Sequence, residues 1–260
     1  MTNDAGRYGD VTVVTGADHV ATIEIHRPPN NYFDAALVAD IATALEVLDS
    51  ERVCRAVVLA AEGKHFCAGA AFGDHDEAAI EPGRHLYDEA LRVFAAGLPI
   101  VAAVEGAAIG GGLGLALVAD FRVAAPEARF SANFARLGFH HGFGTTVTLP
   151  AVVGQQRAAE LLLTGARIGG EVAHQIGLVD HLVPLAEVRA EAHRLAADIA
   201  ASGPLATRSI RQTLRAGLVD RIREATDREK AEQDRLGRTR DFAEGVAAMA
   251  ERRPPVFEGR

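Results

Sequence analysis

The chain has 260 residues, enough for one large hydrophobic core or for a main domain with a helical appendage. Its 48% hydrophobic and 24% charged residues are ordinary for a soluble globular protein, and a net charge of −8 argues against a nucleic-acid or anionic-membrane surface. No apolar run approaches the length of a bilayer span, and no basic-then-apolar signal segment begins the chain. Cys54 and Cys67 are not spaced like metal ligands, which predicts buried thiols in a reducing compartment. Together with the predicted lack of a signal segment and a membrane span, this predicts a cytoplasmic protein.

The first part of the chain predicts an α/β domain, because apolar strands alternate with amphipathic helices. Asp34 is placed to cap the first of these helices. The predicted elements are a loose polar N-terminus (1–10), strands at 11–14 and 20–25 joined by a turn at 16–18, a helix from Asp34 to about Leu48, a strand at 55–61, a loop at 62–82, a helix at 84–96 and a strand at 99–104.

The rest of the chain is mostly helical in pattern, apart from residues 133–146, whose Phe, His and Gly content gives no clear assignment. We divide the chain into an α/β core over residues 1–184 and a C-terminal helical region over 185–260. The Arg/Glu-rich run at 221–240 is interpreted as a solvated helix face. The other predicted elements are strands at 121–124, 129–131 and 178–183, helices at 155–163 and 170–176, and helix breaks at 202–204, Gly217 and Gly237.

Two small-residue turns are candidates for binding an anionic or carbonyl oxygen. The strand at 99–104 is predicted to feed the glycines at 110–112, and a helix-compatible run follows. Glycines at such a junction let a ligand approach the backbone, where free N–H groups suit a phosphate, a carboxylate or a developing oxyanion. The alternative is a tight, buried turn without a ligand. The turn at 68–70 also follows an apolar strand, and parallel strands end at one sheet edge, so the two turns could converge.

Six segments, by their order and spacing, resemble the crotonase, or enoyl-CoA hydratase/isomerase, superfamily. The resemblance implies a spiral of ββα units with a C-terminal helical trimerisation region, and homotrimers or dimers of trimers. It also implies an acyl-CoA thioester as the substrate or ligand, no tightly bound cofactor, and an oxyanion hole formed by the N–H groups of Ala70 and Gly111. The segments are RPPNNYFDAAL (27–37), RAVVLAAEGKHFCAGAAF (55–72), PIVAAVEGAAIGGGLGLALVADFRVAAPEARF (99–130), LPAVVGQQRAAELLLTGARI (149–168), IGLVDHLVP (176–184) and DFAEGVAAMAERRPPVF (241–257).

The acid/base residues depart from the pattern that the resemblance implies. Hydratases of the superfamily carry two glutamates, and their positions here hold Gly114 and Phe134. Neither residue can transfer a proton, so hydration by the two-glutamate mechanism is not expected. Gly114 is expected to open space in the pocket and Phe134 to make it more apolar. Ala71 stands where an aspartate often follows the first turn.

His140 and His141 fall where the resemblance places a glycine-rich turn near the reacting carbons. A neutral imidazole can act as a base or activate water near pH 7. The alternative is that they only satisfy backbone groups in a tight loop. Because adjacent side chains of an extended stretch point in opposite directions, only one is expected in the pocket, with His140 preferred. Asn133 is a candidate hydrogen-bonding group for a substrate oxygen or, alternatively, a helix cap.

Two functions fit these features. The first is an acyl-CoA-processing enzyme with an acid/base set unlike that of the two-glutamate hydratases, and the alternative is a non-catalytic acyl-CoA-binding protein. The acidic residues around His75, at 74–77, are interpreted as a solvated loop rather than a metal site, because metal ligands usually come from several elements. Arg253 is either near the phosphate end of CoA or at an exposed helix end. The remaining candidate ligand contacts are Phe33, Ala68, Phe72, Gly110 and Gly142.

Overall fold

A computed structural model describes residues 5–70 and 85–260. Two 3₁₀ helices span Asn133–Leu137 and Leu185–Glu187. The strands are β1 (Ala5–Tyr8), β2 (Val11–Thr15), β3 (Val20–Ile25), β4 (Ala56–Ala61), β5 (Ile100–Val104), β6 (Ala107–Ile109), β7 (Phe121–Ala124), β8 (Arg129–Ser131), β9 (Arg167–Gly169) and β10 (His181–Leu182). The α-helices are α1 (Ala35–Glu51), α2 (Leu86–Ala95), α3 (Gly111–Ala116), α4 (Thr145–Val153), α5 (Gln155–Thr164), α6 (Gly170–Gln175), α7 (Val188–Ala200), α8 (Pro204–Leu214), α9 (Leu218–Leu236) and α10 (Arg240–Glu251).

The larger sheet of the described residues has the strand order β1-β2-β3-β4-β5-β7-β10. β1, β2 and β3 pair antiparallel, and the later strands pair parallel, which confirms the predicted α/β class. The Gly16 N–H donates to Val20 O at 2.8 Å and closes the predicted β2–β3 hairpin. The prediction of a loose N-terminus is wrong for Ala5–Tyr8, because β1 pairs with the otherwise open edge of β2.

Both faces of this sheet are covered by helices. All six residues of β4 are buried, as its continuous apolar run predicts. One face packs in the same large apolar core as α1 and α2, and the other packs against α7. Asp34 caps α1 by accepting a hydrogen bond from Leu37 N at 2.9 Å, which confirms the predicted helix start.

A second sheet, with the order β6-β8-β9, holds the start of the glycine-rich turn. The apolar run after Pro99 is therefore two strands, and the prediction that residues 99–104 feed the glycines directly is wrong. Gly106 lies at the break, where a Cβ would stand 2.0 Å from Lys64 O. A side chain at position 106 would overlap this carbonyl oxygen, so only glycine fits there. At this residue the chain passes from β5 in one sheet to β6 in the other.

The C-terminal part of the chain forms α7, α8, α9 and α10, with breaks at 201–203, Gly217 and around Gly237, as predicted. The predicted strand at 178–183 is reduced to β10. α4 and β9 were not predicted. No helix within the two described stretches is both long and apolar enough to cross a membrane.

Candidate active site

The two small-residue turns lie against each other, and Cys67 joins them. The N–H of Cys67 donates to Ala107 O at 2.9 Å, and its carbonyl accepts from Ile109 N at 3.0 Å. These bonds form a parallel bridge between Cys67 and Ala108. The predicted meeting of the turns is confirmed, but its predicted cause is wrong. β4 and β6 belong to different sheets, so the turns meet through this bridge rather than at one sheet edge.

Close packing requires glycine at both turns. A Cβ on Gly112 would lie 2.2 Å from Cys67 O, and a Cβ on Gly111 would lie 2.1 Å from Phe33 Cζ. Gly69 has φ +112°, in the region that favours glycine. Phe33 also forms a bridge with Ala70, so one aromatic residue contacts both turns.

In each turn the first N–H group already has an acceptor, which leaves the later N–H groups as candidate donors. Gly110 N donates to Ser131 O at 2.8 Å, and Ala68 N donates to Asn30 O at 2.9 Å. Gly111 is the first residue of α3, a position whose N–H has no acceptor within a helix. Among residues 5–70 and 85–260, no acceptor bonds to the N–H of Gly69, Ala70, Gly111 or Gly112. Ala70 and Gly111, which the family resemblance selects, are thus among four N–H groups that can donate to a bound oxygen. α3 has only six residues, so these donors rather than a long helix dipole would carry that interaction.

Phe143 fills the space beside Gly114. A Cβ on Gly114 would lie 2.7 Å from Phe143 Cβ, and the Phe143 side chain is almost fully buried. Its ring meets those of Phe33 and Phe94, with centroids 5.6 and 6.2 Å away. The expectation that Gly114 opens space is therefore wrong, because this aromatic ring occupies it. A glutamate at position 114 would not fit without moving Phe143.

Phe134 and Asn133 lie beside the glycine turn. Phe134 is buried, and its Cζ would be 3.7 Å from a Cβ on Gly110. The Asn133 Oδ1 would be 3.2 Å from that same Cβ. Asn133 does not cap its 3₁₀ helix, because Ala132 holds the cap position and no side chain bonds there, so the capping alternative is wrong.

His140 and His141 stack on each other, with ring centroids 4.2 Å apart and planes 24° apart. The prediction that they point in opposite directions is wrong. Residues 139–142 form no strand, and left-handed φ values at Gly138, Phe143 and Gly144 turn the chain on both sides of them. His140 Nδ1 lies 2.7 Å from the His141 carbonyl oxygen. Because a carbonyl only accepts, Nδ1 carries the proton in this assignment, and Nε2 presents a lone pair.

A chain of hydrogen bonds connects the second histidine to a buried carboxylate, Glu229. Thr146 Oγ1 donates to Glu229 Oε1 at 2.6 Å, and His141 Nε2 lies 2.9 Å from the same hydroxyl. Because the hydroxyl proton goes to Glu229, the hydroxyl oxygen accepts from His141 Nε2–H. Glu229 also accepts from Gly144 N at 2.9 Å and Thr146 N at 3.1 Å. Sequence reasoning missed this acid, and its assignment to a solvated face is wrong because Glu229 is fully buried.

These surroundings shift the pKa values of both titratable groups. Burial, and then the neighbouring His140, lower the pKa of His141 from 6.5 to about 4, so its imidazole is neutral at pH 7. Burial raises the pKa of Glu229 above its usual value, although the hydrogen bonds from Thr146 and Gly144 oppose that shift.

The lowered pKa of His141 predicts that acid destabilises the folded protein. The unfolded chain takes up the His141 proton near pH 6.5 and the folded chain only near pH 4, so stability is lost as the pH falls through this window. We expect the free energy of unfolding to drop more between pH 7 and pH 4.5 for the wild type than for His141→Asn. Urea denaturation of both proteins at both pH values measures the difference, and equal drops would contradict the assignment.

The two cysteines are free and buried, as predicted. Burial raises the pKa of Cys54 to about 11 and that of Cys67 to about 12. Cys67, although it joins the two turns, therefore holds a protonated thiol and does not supply a nucleophilic thiolate near neutral pH.

Several predicted contacts are not brought to the turns. Arg253 is exposed just after α10 and pairs with Glu244 and Glu251 of that helix. Gly142 packs where a Cβ would lie 2.1 Å from the Tyr87 hydroxyl, beside Gln233. Ala71, Phe72 and the acidic residues at 74–77 lie outside the described residues.

Comparisons with known proteins agree with the motifs found in the sequence. A profile of the enoyl-CoA hydratase/isomerase family matches residues 15–260. A Rhodobacter capsulatus relative named as a probable enoyl-CoA hydratase is 34% identical over 249 residues, which cover 94% of this chain and 96% of that protein. The structure of an enoyl-CoA hydratase/isomerase from Pseudoalteromonas atlantica matches with a TM-score of 0.88 at 29% identity, covering 96% of this chain and all of that one. A carnitinyl-CoA hydratase from Mycobacterium avium matches with a TM-score of 0.84 at 29% identity, covering 98% of this chain and all of that one. The chain has the crotonase fold and belongs to the enoyl-CoA hydratase/isomerase family of enzymes.

Proposed function

We propose that this protein processes acyl-CoA thioesters by polarising the thioester carbonyl between the N–H groups of Ala70 and Gly111. The observation that carries the proposal is that both turns, which share contact with Phe33, hold backbone N–H groups without an acceptor in the described stretches. The family resemblance selects Ala70 and Gly111 among these groups. Two such donors stabilise the negative charge that develops on the oxygen of an enolate or a tetrahedral intermediate. The CoA thioester is the substrate, and no tightly bound cofactor takes part.

The proton-transfer groups in this proposal are not the two glutamates of the hydratases. Phe143 excludes a carboxylate at Gly114, and Phe134 is apolar. The Nε2 of His140 is the preferred base, with His141 as the second candidate. A base that removes a proton from the carbon next to the thioester leaves an enolate, whose charge rests on the oxygen between the two N–H groups. This chemistry suits an isomerase, an atypical hydratase, a C–C bond lyase, or a thioester or C–C hydrolase.

A second candidate function is a non-catalytic acyl-CoA-binding protein. It is favoured by the absence of a carboxylate at positions 114 and 134 and by the low pKa of His141, which makes that imidazole a weak base. Such a protein would keep the two donors for binding and lack proton transfer.

We further propose that the chain assembles as a homotrimer or a dimer of trimers in the cytoplasm, with residues 185–260 as the helical trimerisation region and Arg253 near the phosphate end of CoA. Support comes from three large apolar side chains that α8 leaves exposed, Leu205, Ile210 and Leu214. Light scattering after gel filtration should give three or six chains per particle. A monomer at micromolar concentration would contradict the assembly.

Removal of one N–H donor tests the oxyanion hole. Ala70→Pro deletes the donor, and we expect kcat/KM to fall about 100-fold with an active acyl-CoA, as when one oxyanion donor is lost elsewhere. Ala70→Ser keeps the N–H and should retain activity within a few-fold. The thermal midpoint and the Kd for an unreactive acyl-CoA establish that both variants are folded. Equal activity of the two variants would overturn the role of Ala70.

The base is tested with a panel of 2-enoyl- and 3-enoyl-CoA esters, with products followed by mass spectrometry. Product formation that is lost in His140→Gln and kept in His141→Gln would support His140 as the base. Product that survives in both variants would overturn the histidine assignment. Tight binding of the esters with no product from the wild type would favour the binding protein.

A further inference from the structure

A cavity of about 390 Å³ lies apart from the two glycine turns, between the end of α2 and the helices α8 and α9. It shares no lining residue with those turns or with the paired histidines. Three arginines face apolar and small residues across it. The lining includes Phe94, Gly97, Arg208, Arg211, Arg215 and Val219.

Two of these arginines have buried donor atoms that remain unused. The Arg211 side chain is 9% exposed; its Nε donates to Asp120 at 2.8 Å and its Nη1 to Ala96 O at 2.5 Å. Its Nη2 is buried and has no hydrogen-bond partner in the described part of the chain. The same is true of Arg208 Nη2, whereas Nη1 of Arg208 pairs with Asp49. An unsatisfied buried donor on a charged group is costly, and a bound acceptor removes that cost.

The charges around the cavity do not balance within the described residues. Asp120 is shared by Arg211 and Arg215, the latter donating to it at 3.0 Å, and Asp49 pairs with Arg208. Three guanidinium groups thus face two carboxylates. The next cation, Arg122, has its own partner in Asp180, at 3.2 Å. An uncompensated positive charge at a partly buried site is stabilised by an anion.

Two further features agree with an anionic ligand. Burial and the neighbouring Arg211 lower the pKa of Arg215, as expected where cations are crowded. Val219, in the first turn of the 19-residue α9, lines the cavity, so the partly positive end of that helix lies beside it. Asp220, in the same turn, is exposed and does not belong to the lining.

We propose that this cavity binds the phosphate or carboxylate group of a small metabolite through Arg208, Arg211 and Arg215. Guanidinium groups are suited to oxyanions because their planar N–H pairs match two oxygens. The cavity volume is sufficient for the anionic group and a small organic body. This site is additional to the proposed acyl-CoA function and does not depend on it.

Calorimetric titration with two probes, inorganic phosphate and glutarate, tests the site at constant ionic strength. We expect saturable binding of at least one probe, with one anion per chain. Binding of phosphate alone identifies a phosphorylated ligand, and binding of glutarate alone identifies a carboxylate. Either result supports the site.

Matched variants locate the binding. Gln212 lines the cavity and is exposed, so Gln212→Glu adds a negative charge there and removes no member of the existing ion pairs. We expect this variant, and Arg208→Gln, to weaken binding at least about tenfold, or about 1.4 kcal/mol. Gln156→Glu makes the same change on the exposed face of α5 and should leave binding unchanged. No saturable binding of either probe, or equal affinity in Gln212→Glu and Gln156→Glu, would overturn the proposal.

Discussion

Gly112→Ala is expected to lower the free energy of unfolding by about 3 kcal/mol or more, because the new Cβ would overlap main-chain atoms. It would stand 2.2 Å from the Cys67 carbonyl oxygen and 2.9 Å from the carbonyl carbon. A flexible side chain could move away, but this oxygen accepts the hydrogen bond from Ile109 N that joins the two turns. Relief of the overlap therefore breaks the bridge on which the candidate active site is built.

Urea denaturation of the wild type, Gly112→Ala and Gly203→Ala measures this effect. Gly203 is a matched control, because its φ is −60° and the nearest atom to an added Cβ would be Ala206 Cβ, 3.9 Å away. We expect the control to lose no more than about 1 kcal/mol, because Gly203 is the N-cap residue of α8, a position where alanine is less favourable than glycine. Gly112→Ala with a stability equal to that of the control would contradict the packing of the turns.

Glu229→Leu is expected to lower the free energy of unfolding by about 2–3 kcal/mol, because the buried Gly144 N would lose its acceptor. Thr146 N and Thr146 Oγ1 would lose the same acceptor, but Thr146 is exposed and water can replace it there. Glu229→Gln should also destabilise, by about 2 kcal/mol, although it keeps the shape. The two carboxylate oxygens each accept from a backbone N–H, and the amide NH₂ would place a donor against one of them.

Glu224→Gln is the control for this pair, since Glu224 is exposed on the same helix, α9. It should stay within about 0.5 kcal/mol of the wild type by urea denaturation. The Glu229 variants should also change the environment of His141, which bonds the same threonine hydroxyl. NMR of the imidazole resonances would report that change. A free energy of unfolding for Glu229→Leu equal to that of the wild type would contradict the stabilising role of the Glu229 carboxylate.

The pattern of neighbouring residues in the sequence was sufficient to predict many of the strands and helices. The alternation at 20–25 defines β3, and Asp34 defines the start of α1, because neighbouring residues determine hairpins and caps. β6 and β9 were missed because both pair with β8, which is distant from them in sequence. β1 pairs with the neighbouring β2, but its four residues carry no clear periodicity. Gly106 was the available signal for the break between β5 and β6.

The candidate site was predictable where the backbone determines it and not where side chains meet. The glycines at 110–112 indicated a close approach, and the structure provides that approach at Cys67. The ring of Phe143 over Gly114 depends on a left-handed φ at a phenylalanine, which no pattern indicates. The burial of Glu229 could have been predicted from the sequence. It lies at helical spacing from Ile222, Ala225 and Thr226, and the four residues form the buried face of α9.

The bridge at Cys67 has a consequence for how the site responds to a substrate. Because both backbone groups of this buried residue bond to β6, the two turns form one unit whose geometry is established when the protein folds. The proposed donors are held in place in this way, so under the proposed function they would need no rearrangement when a carbonyl oxygen arrives. The entropy of ordering them is lost during folding rather than during turnover. Main-chain N–H groups also do not titrate, so their ability to donate does not change with pH. Any pH dependence of catalysis would therefore come from the side chains around them.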